Sequence, residues 1–402
     1  MPGGAREAGF SRCRPPGGDL GWVDPDEEAA MGAQGMDSER FETVVVGGGQ
    51  AGLATGYHLA RRDRPFVILD AGQRVGDPWR GRWDSLRLFT PAAYSGLPGM
   101  GFPAPAWHYP TKDEVADYLE AYAARFQLPV RPGVAVDGLT RRGERYLVSA
   151  GERRFEADNV VVASGAYHTP RVPAFAAELD PAILQLHSSG YRRPSQLREG
   201  PTLVVGAGNS GAEIALELAG TRRTWLSGRH PGSEPTSAGS RLDRLFTPPF
   251  WFFITRVLTV DTRIGRRVRP KLTGVGTPLA RVKPRTLKAA GVERTPRTAG
   301  VRDGLPVLED GRALEVANVV WCTGFRPGFS WIDLPVFEDD GEPRHDRGVV
   351  ASAPGLYVVG RFFQTAVASS LVGWVGHDAE YVADRIAARA PAANPPVTVP
   401  GR

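Results

Sequence analysis

The residues best placed to do chemistry in this chain are glycines. They stand in two strand-to-helix turns, Val46-Gly47-Gly48-Gly49-Gln50-Ala51-Gly52 and Val205-Gly206-Ala207-Gly208-Asn209-Ser210-Gly211. In such a turn the first glycine permits the bend, the second lets the backbone approach a pyrophosphate, and the third lets helix and strand pack closely. The diphosphate rests on free N–H groups at a helix N-terminus, where the dipole favours negative charge. Gly47, Gly49 and Gly52, with Gln50 and Ala51, make one cradle; Gly206, Gly208 and Gly211 make the other. Each follows a valine-rich strand and opens a helical pattern, Leu53 to Ala60 and Ala212 to Ala219. That context separates a dinucleotide turn from a chance run in a chain with 49 glycines. Two cradles imply two dinucleotides and electrons moving between them.

The strands that follow separate the two ligands. Pro65 to Asp70 ends in a carboxylate, and an acid there bonds ribose hydroxyls, so Asp70 suits FAD or NAD and repels a 2′-phosphate. Arg223 to His230 contains no such acid. Arg229 stands near the 2′-phosphate position and selects NADPH, unless it is a solvated surface charge.

Positioning these turns requires an α/β architecture of two Rossmann-like domains, and 402 residues exceed a single core. The pattern predicts a nested order. Residues 1–37 read as a disordered extension and 391–402 as a flexible tail. Residues 38–168 begin the first domain, 169–316 form the second with an apolar and basic insertion over 240–285, and 317–390 return to the first. The nesting rests on two similar strand-to-glycine segments, Asp158 to Gly165 and Ala317 to Pro327, which bracket the second turn. Hydrophobic content of 42% and charge of 23% are those of an ordinary soluble globular protein. A net charge of +5 suits anionic cofactors, and no nucleic-acid motif is present. Cys13 and Cys322 are the two cysteines, which excludes a disulfide framework and a CxxC redox pair. The histidines show no metal-ligand spacing, so no metal is expected. With no apolar stretch of membrane-spanning length and no apolar region in 1–37, a cytoplasmic location is expected.

From Glu42 to Ile386 the chain resembles the flavin-containing monooxygenases and their bacterial and plant indole-pyruvate-type relatives. The likeness is carried by both glycine turns and by His187 and Tyr191, which match the second half of the signature FxGxxxHxxxY/F. It is also carried by the ATG-type segment Cys322 to Pro327, the late strand Gly355 to Gly360, and Gly376 to Tyr381 at the start of a closing helix. The resemblance implies FAD at the first turn, with Thr323, Gly324 and Gly360 near it, and NADPH at the second, placing the NADPH domain inside the FAD domain. It implies hydride transfer to FAD, then insertion of one atom of molecular oxygen, through a C4a-(hydro)peroxyflavin, into a small lipophilic organic substrate. Asn209 and Ser210 would position the nicotinamide side; His187 and Tyr191 would act from the linker, although His187 reads equally well as a structural histidine. Two departures stand out. The leading signature residues fall on Pro181 and Ile183, and no Asn lies in Leu88-Phe89-Thr90-Pro91, where many members use one to hold the oxygenated flavin.

Two further stretches bear on the site. Asp77 to Leu88 would run along the flavin, with Trp79 and Trp83 stacking near it and Arg80, Arg82 or Arg87 meeting its charge, or else it is a packed loop with solvated arginines. Leu245 to Leu258, followed by Arg263, Arg266, Arg267, Arg269 and Lys271, reads as a cap on a substrate channel, a surface pairing with a second copy, or a buried helix with a basic continuation. A fourth reading is peripheral contact of 245–271 with an anionic membrane. Two alternatives to a monooxygenase follow: an NADPH-dependent flavoprotein reductase or diaphorase serving a quinone or protein partner, and a non-catalytic NADP(H)-sensing protein.

Overall fold

The computed structural model describes residues 38–234, 236, 238–272 and 277–389; the expected extension, the expected tail and residues 273–276 of the expected insertion lie outside the described residues. Strand β1 (Ser38–Val46) runs into helix α1 (Gln50–Ala60), then β2 (Phe66–Leu69), helix α2 (Lys112–Arg125) and the short β3 (Val130–Arg131). An antiparallel meander follows: β4 (Gly138–Arg142), β5 (Arg145–Ala150) and β6 (Arg153–Val162). The second unit contains β7 (Leu184–His187), β8 (Thr202–Val205), α3 (Asn209–Ala219), β9 (Thr224–Ser227), α4 (Arg241–Phe252), α5 (Arg263–Leu272), α6 (Pro284–Ala289), β10 (Glu293–Thr295), the hairpin β11 (Thr298–Arg302) and β12 (Leu305–Leu308), and β13 (Asn318–Trp321). The chain closes with β14 (Leu356–Val358) and α7 (Val375–Ala388).

The first sheet has the order β3-β2-β1-β6-β5-β4, and β14 also pairs with β6. Strand β6 is long enough to serve twice: its first half pairs antiparallel with β5, and Val160, Val161 and Val162 pair parallel with β14. The second sheet is β10-β9-β8-β13-β7, parallel throughout. Its strands all fall in the sequence between β6 and β14, so the second unit is inserted into the first. One expected boundary moves. The sequence pattern places Asn318–Trp321 in the returning first domain, but it sits between β8 and β7 in the second sheet. Its apolar run satisfies either sheet, so burial pattern alone does not choose between them.

Both central strands are apolar on consecutive residues because both faces are covered. Val45 meets Leu53 of α1, Leu119 and Tyr122 of α2, and Val382 of α7, whereas Val44 and Val46 face Tyr146 and Phe155 of the meander. In the second sheet Val204 packs with Ala212 and Ile214 of α3, and Leu203 and Val205 pack with Trp225, Leu308 and Trp321. Helix α2 starts at Thr111 with a capping box to Glu114.

The apolar stretch Phe250 to Leu258 of the inserted segment packs against the first unit, whereas Leu279 and Val282 pack in the second. Pro248 and Pro249 lie inside α4, which passes into a π-helical turn at Phe253–Val257, and Ile254 and Leu258 bury themselves against Phe363, Ala366 and Trp374 of the first unit. Val260 N–H donates to Thr365 O (2.8 Å) and Val367 N–H to Leu258 O (3.0 Å). The segment is a strap between the two units.

The tightest constraint lies at the third glycine of each turn. A Cβ on Gly52 would stand 1.8 Å from the Gly47 carbonyl oxygen, and one on Gly211 would stand 1.8 Å from that of Gly206. We expect Gly52→Ala and Gly211→Ala each to destabilise the protein by at least about 1–3 kcal/mol, the cost of overpacking a rigid site, seen as a lowered urea midpoint.

Candidate functional site

The two glycine turns superpose in their local chemistry. Gly47 has φ 109° and Gly206 φ 108°, values in the region that favours glycine. A Cβ on Gly47 would lie 2.6 Å from the Ala163 carbonyl at the end of β6, and one on Gly206 would lie 2.2 Å from the Cys322 carbonyl just after β13. The middle glycines differ from these in kind. Nothing lies within 4 Å of a Cβ placed on Gly49 or Gly208. Each turn is thus closed on its inner side by backbone and bare on the side where α1 or α3 opens its first N–H groups.

Around the first turn, Asp70 is buried and its two carboxylate oxygens accept from Gly48 N–H and, at 2.6 Å, Gly72 N–H. The acid read as a ribose contact therefore also stitches β2 to the turn. Gln50 Nε2 donates to Ser370 O (3.1 Å), and Gly360 approaches Ala51 so closely that a Cβ there would sit 3.0 Å from that of Ala51. The buried Ser164 hydroxyl beside Gly47 has no hydrogen-bond partner among the described residues. Ser164 stands in the Asp158 to Gly165 segment but is not singled out there, and Ser370 lies outside any motif read from the sequence.

Around the second turn, Ser227 ends β9 where an acid would otherwise stand, and its hydroxyl donates to Pro296 O (2.9 Å). Arg229 is exposed, and Arg294 on the neighbouring β10 donates to the Gly228 carbonyl (2.8 Å). Arg294 was missed because it is remote from Arg229 in sequence and adjacent only through the parallel pairing. Asn209 is used structurally: its amide donates to Pro278 O (3.0 Å) and accepts from Ala280 N–H (3.0 Å). Ser210 lies half-buried beside it.

Two crossings join the units, and both carry a left-handed glycine, Gly165 with φ 82° and Gly324 with φ 83°. They are tied by an antiparallel bridge of Phe325–Arg326 with Thr169–Pro170, and Thr323 Oγ1 donates to Arg171 O. His187, at the end of β7, belongs to this hinge. Ser189 N–H donates to Nδ1 (3.2 Å), so Nε2 carries the proton and donates to the Gly324 carbonyl (3.0 Å). Burial holds its pKa below the usual value; the Gly324 carbonyl opposes this and Arg82 adds to it. Tyr191 is fully buried, and its hydroxyl donates to Glu217 (2.7 Å), which keeps it in the core of the second unit. Both signature residues therefore hold the hinge and its neighbouring core, which is the structural alternative for His187.

The Asp77 to Leu88 stretch divides. Trp83 is 5% exposed, packed with Tyr191, Leu197 and Ala207, so its ring fills the second core instead of lining the first cleft as expected. Trp79 is half-buried between the two cores. Arg80 pairs with Asp117 and Glu120, and Arg87 donates to Tyr109 O (2.9 Å). Arg82 lies over the Tyr167 ring at 5.1 Å, with desolvation lowering its pKa and no carboxylate partner among the described residues. Arg361, after the late strand, is committed to Gly165 O (2.7 Å) and to Glu342. The Cys322 thiol is pushed up to about 12 by desolvation, the opposite of a reactive thiolate. Among the described residues, no cluster of three His, Cys, Asp or Glu could hold a metal ion, and no helix is long and apolar enough to cross a membrane.

A scaffold of two dinucleotide turns joined by two glycine crossings is that of a two-dinucleotide flavoprotein oxidoreductase. Comparison with known proteins agrees. The family model for pyridine nucleotide-disulphide oxidoreductases matches residues 44–238. The chain is 39% identical over 347 residues to a CzcO-like oxidoreductase of Geobacillus kaustophilus (strain HTA426), covering 86% of this chain and 98% of that one. It is 30% identical over 362 residues to the probable indole-3-pyruvate monooxygenase YUCCA3 of Arabidopsis thaliana, covering 79% and 81%. The solved flavin-containing monooxygenase from Stenotrophomonas maltophilia superposes with a TM-score of 0.71 at 28% identity, over 87% of this chain and 99% of that one. The chain belongs to the flavin-dependent monooxygenase family of oxidoreductases.

Two buried carboxyls set a pH dependence. Burial pushes Glu213 of α3 up to about 7, against the opposing charge of Arg281 at 3.4 Å, which also donates to Arg87 O across the units. Burial likewise pushes Asp378 of α7 up to about 7, opposed by the Thr365 and Ser369 hydroxyls. A raised carboxyl stabilises the fold fully below its ordinary range, near pH ~4, and that contribution is lost as pH rises through 7. Melting temperature should fall across this window, and Glu213→Gln or Asp378→Asn should each flatten the fall.

Proposed function

We propose that this protein is an FAD- and NADPH-dependent monooxygenase that inserts one oxygen atom into a small lipophilic organic substrate, the oxygen being delivered from a C4a-(hydro)peroxyflavin. The observation that carries the reading is the duplicated turn with unlike flanks. The residues fit the cofactors: Gly49 and Gly208 leave bare backbone cradles, and the unpartnered Ser164 hydroxyl stands beside the first. Gly47, Gly49, Gln50, Ala51, Gly52, Asp70, Trp79 and Gly360 would hold FAD. Gly206, Gly208, Gly211, Ser210, Arg229 and Arg294 would hold NADPH, the two arginines taking the 2′-phosphate. FAD, when bound, supplies hydride acceptance and oxygen activation. Thr323 and Gly324, held by His187, fix the hinge that sets the approach of one cofactor to the other.

A lipophilic substrate is supported by a cavity of about 440 Å³ lined by Ala92, Ala93, Tyr94, Phe102, Ala104 and Trp251, among other residues, none of them charged. Trp251 comes from the inserted strap and meets Tyr94 at a ring separation of 5.1 Å, so the strap forms one wall of this open cavity. The relative named for indole-3-pyruvate oxidation makes aromatic oxo acids a reasonable part of a first substrate screen. A reductase reading keeps one specific support: Leu88 to Pro91 offers no amide, only the exposed Phe89 and Thr90, whose hydroxyl is bonded to Ser95.

The deciding experiment is turnover under isotopically labelled dioxygen. One labelled oxygen atom in the product per NADPH consumed supports the proposal; NADPH oxidation that yields only hydrogen peroxide or reduced quinone favours the reductase. Two substitutions test the cofactor assignment. Gly49→Ala should leave the fold intact and weaken FAD retention, because its Cβ meets only the space given to the pyrophosphate. Arg229→Ala with Arg294→Ala should raise KM for NADPH about tenfold to a hundredfold while leaving NADH nearly unchanged.

A further inference from the structure

We propose that the outward face of the inserted strap is a peripheral docking surface for an anionic lipid bilayer. The inference is independent of the substrate oxidised. Of the nine large apolar side chains most open to solvent among the described residues, five fall on this strap: Leu242 (68% exposed), Leu245 (76%), Phe252 (61%), Phe253 (43%) and Ile264 (53%). Leu242, Leu245, Pro249 and Phe252 recur at three- and four-residue steps and so share one side of α4.

That side is held outward by what the opposite side binds. Ser240 caps the helix by accepting from Asp243 N–H (3.1 Å). The buried Asp243 carboxylate accepts from Tyr109 of the first unit, from Gly239 N–H (2.8 Å) and from the Thr247 hydroxyl (3.2 Å). Phe246 stacks on Phe250, and Trp251 turns inward to Tyr94. A helix anchored this firmly exposes its apolar side by construction, not by fraying.

Charge names the occupant. Between Arg241 and Leu272 stand eight lysines and arginines against two carboxylates, more excess positive charge than the net +5 of the entire chain. Both carboxylates are occupied, Asp243 as above and Asp261 by Arg347. On α5, Arg263, Arg267 and Lys271 are exposed on the side that also carries Ile264; Arg266, on another side, donates to the Val260 and Asp261 carbonyls, and Gly265 is buried against Thr259. Apolar side chains that enter the headgroup boundary, next to a concentrated cationic helix, are what an anionic bilayer surface binds. A second copy of the chain would bring the same positive charge against itself, so self-association across this face is disfavoured.

The test is vesicle co-sedimentation of the full-length, FAD-loaded protein. Vesicles of equimolar phosphatidylglycerol and phosphatidylcholine should pellet the protein at low salt, and phosphatidylcholine alone should not. Leu245→Ser with Phe252→Ser, and separately Arg263→Gln with Arg267→Gln, should each weaken binding by about tenfold or more while NADPH oxidation in the absence of lipid is unchanged. Equal, negligible binding to both vesicle types overturns the proposal. So does a wild-type protein that light scattering finds dimeric and the apolar double variant finds monomeric, since the face is then an interface between copies.

Discussion

The molecule depends on four places where backbone meets backbone with no side chain between. Gly47 against Ala163 O and Gly206 against Cys322 O bring each turn onto the neighbouring strand end, and Gly52 and Gly211 bring each helix onto its own turn. These contacts fix where α1 and α3 begin, and so where their unbonded N–H groups converge. They explain why the two halves are alike in geometry although their flanking residues, Asp70 in one and Arg229 with Arg294 in the other, are chemically opposite. In the function proposed above, shape sets that a dinucleotide fits and the flanks set which one.

Communication between the halves follows from the same strand ends. Each turn leans on a crossing that leaves through a left-handed glycine, Gly165 or Gly324, and the two crossings are bridged side by side. His187 donates to the Gly324 carbonyl within that hinge. The strap adds a second tie between the units, through Tyr109 with Asp243 and through Leu258 against the Phe363 to Trp374 segment. Arg281, between Glu213 and the Arg87 carbonyl, adds a third. With these ties the relative placement of the two cradles is held by packing and hydrogen bonds together.

Local signals were legible in the sequence and tertiary ones were not. The glycine turns announce themselves because strand, turn and helix are contiguous, and the matching Asp158–Gly165 and Ala317–Pro327 segments reveal the nested order. Trp83 looked like a flavin contact because an aromatic beside arginines suits either a cofactor or a core, and only the fold shows it against Tyr191. Asn318–Trp321 carries the same apolar run in either sheet, so its membership waits on pairing. Arg294 and Ser370 act through neighbours far away in sequence, which no motif encodes. Tyr191 matched a family signature, yet its hydroxyl serves Glu217 in the core, so a matched position does not by itself specify catalysis.

The central claim is that the first turn holds a flavin and the second holds the nucleotide that reduces it. The most direct measurement is an anaerobic titration of the FAD-loaded protein with NADPH, followed in the visible flavin band. The account predicts complete bleaching at one equivalent of NADPH per flavin, with NADH much less effective. A protein that keeps its full flavin spectrum in excess NADPH would contradict it.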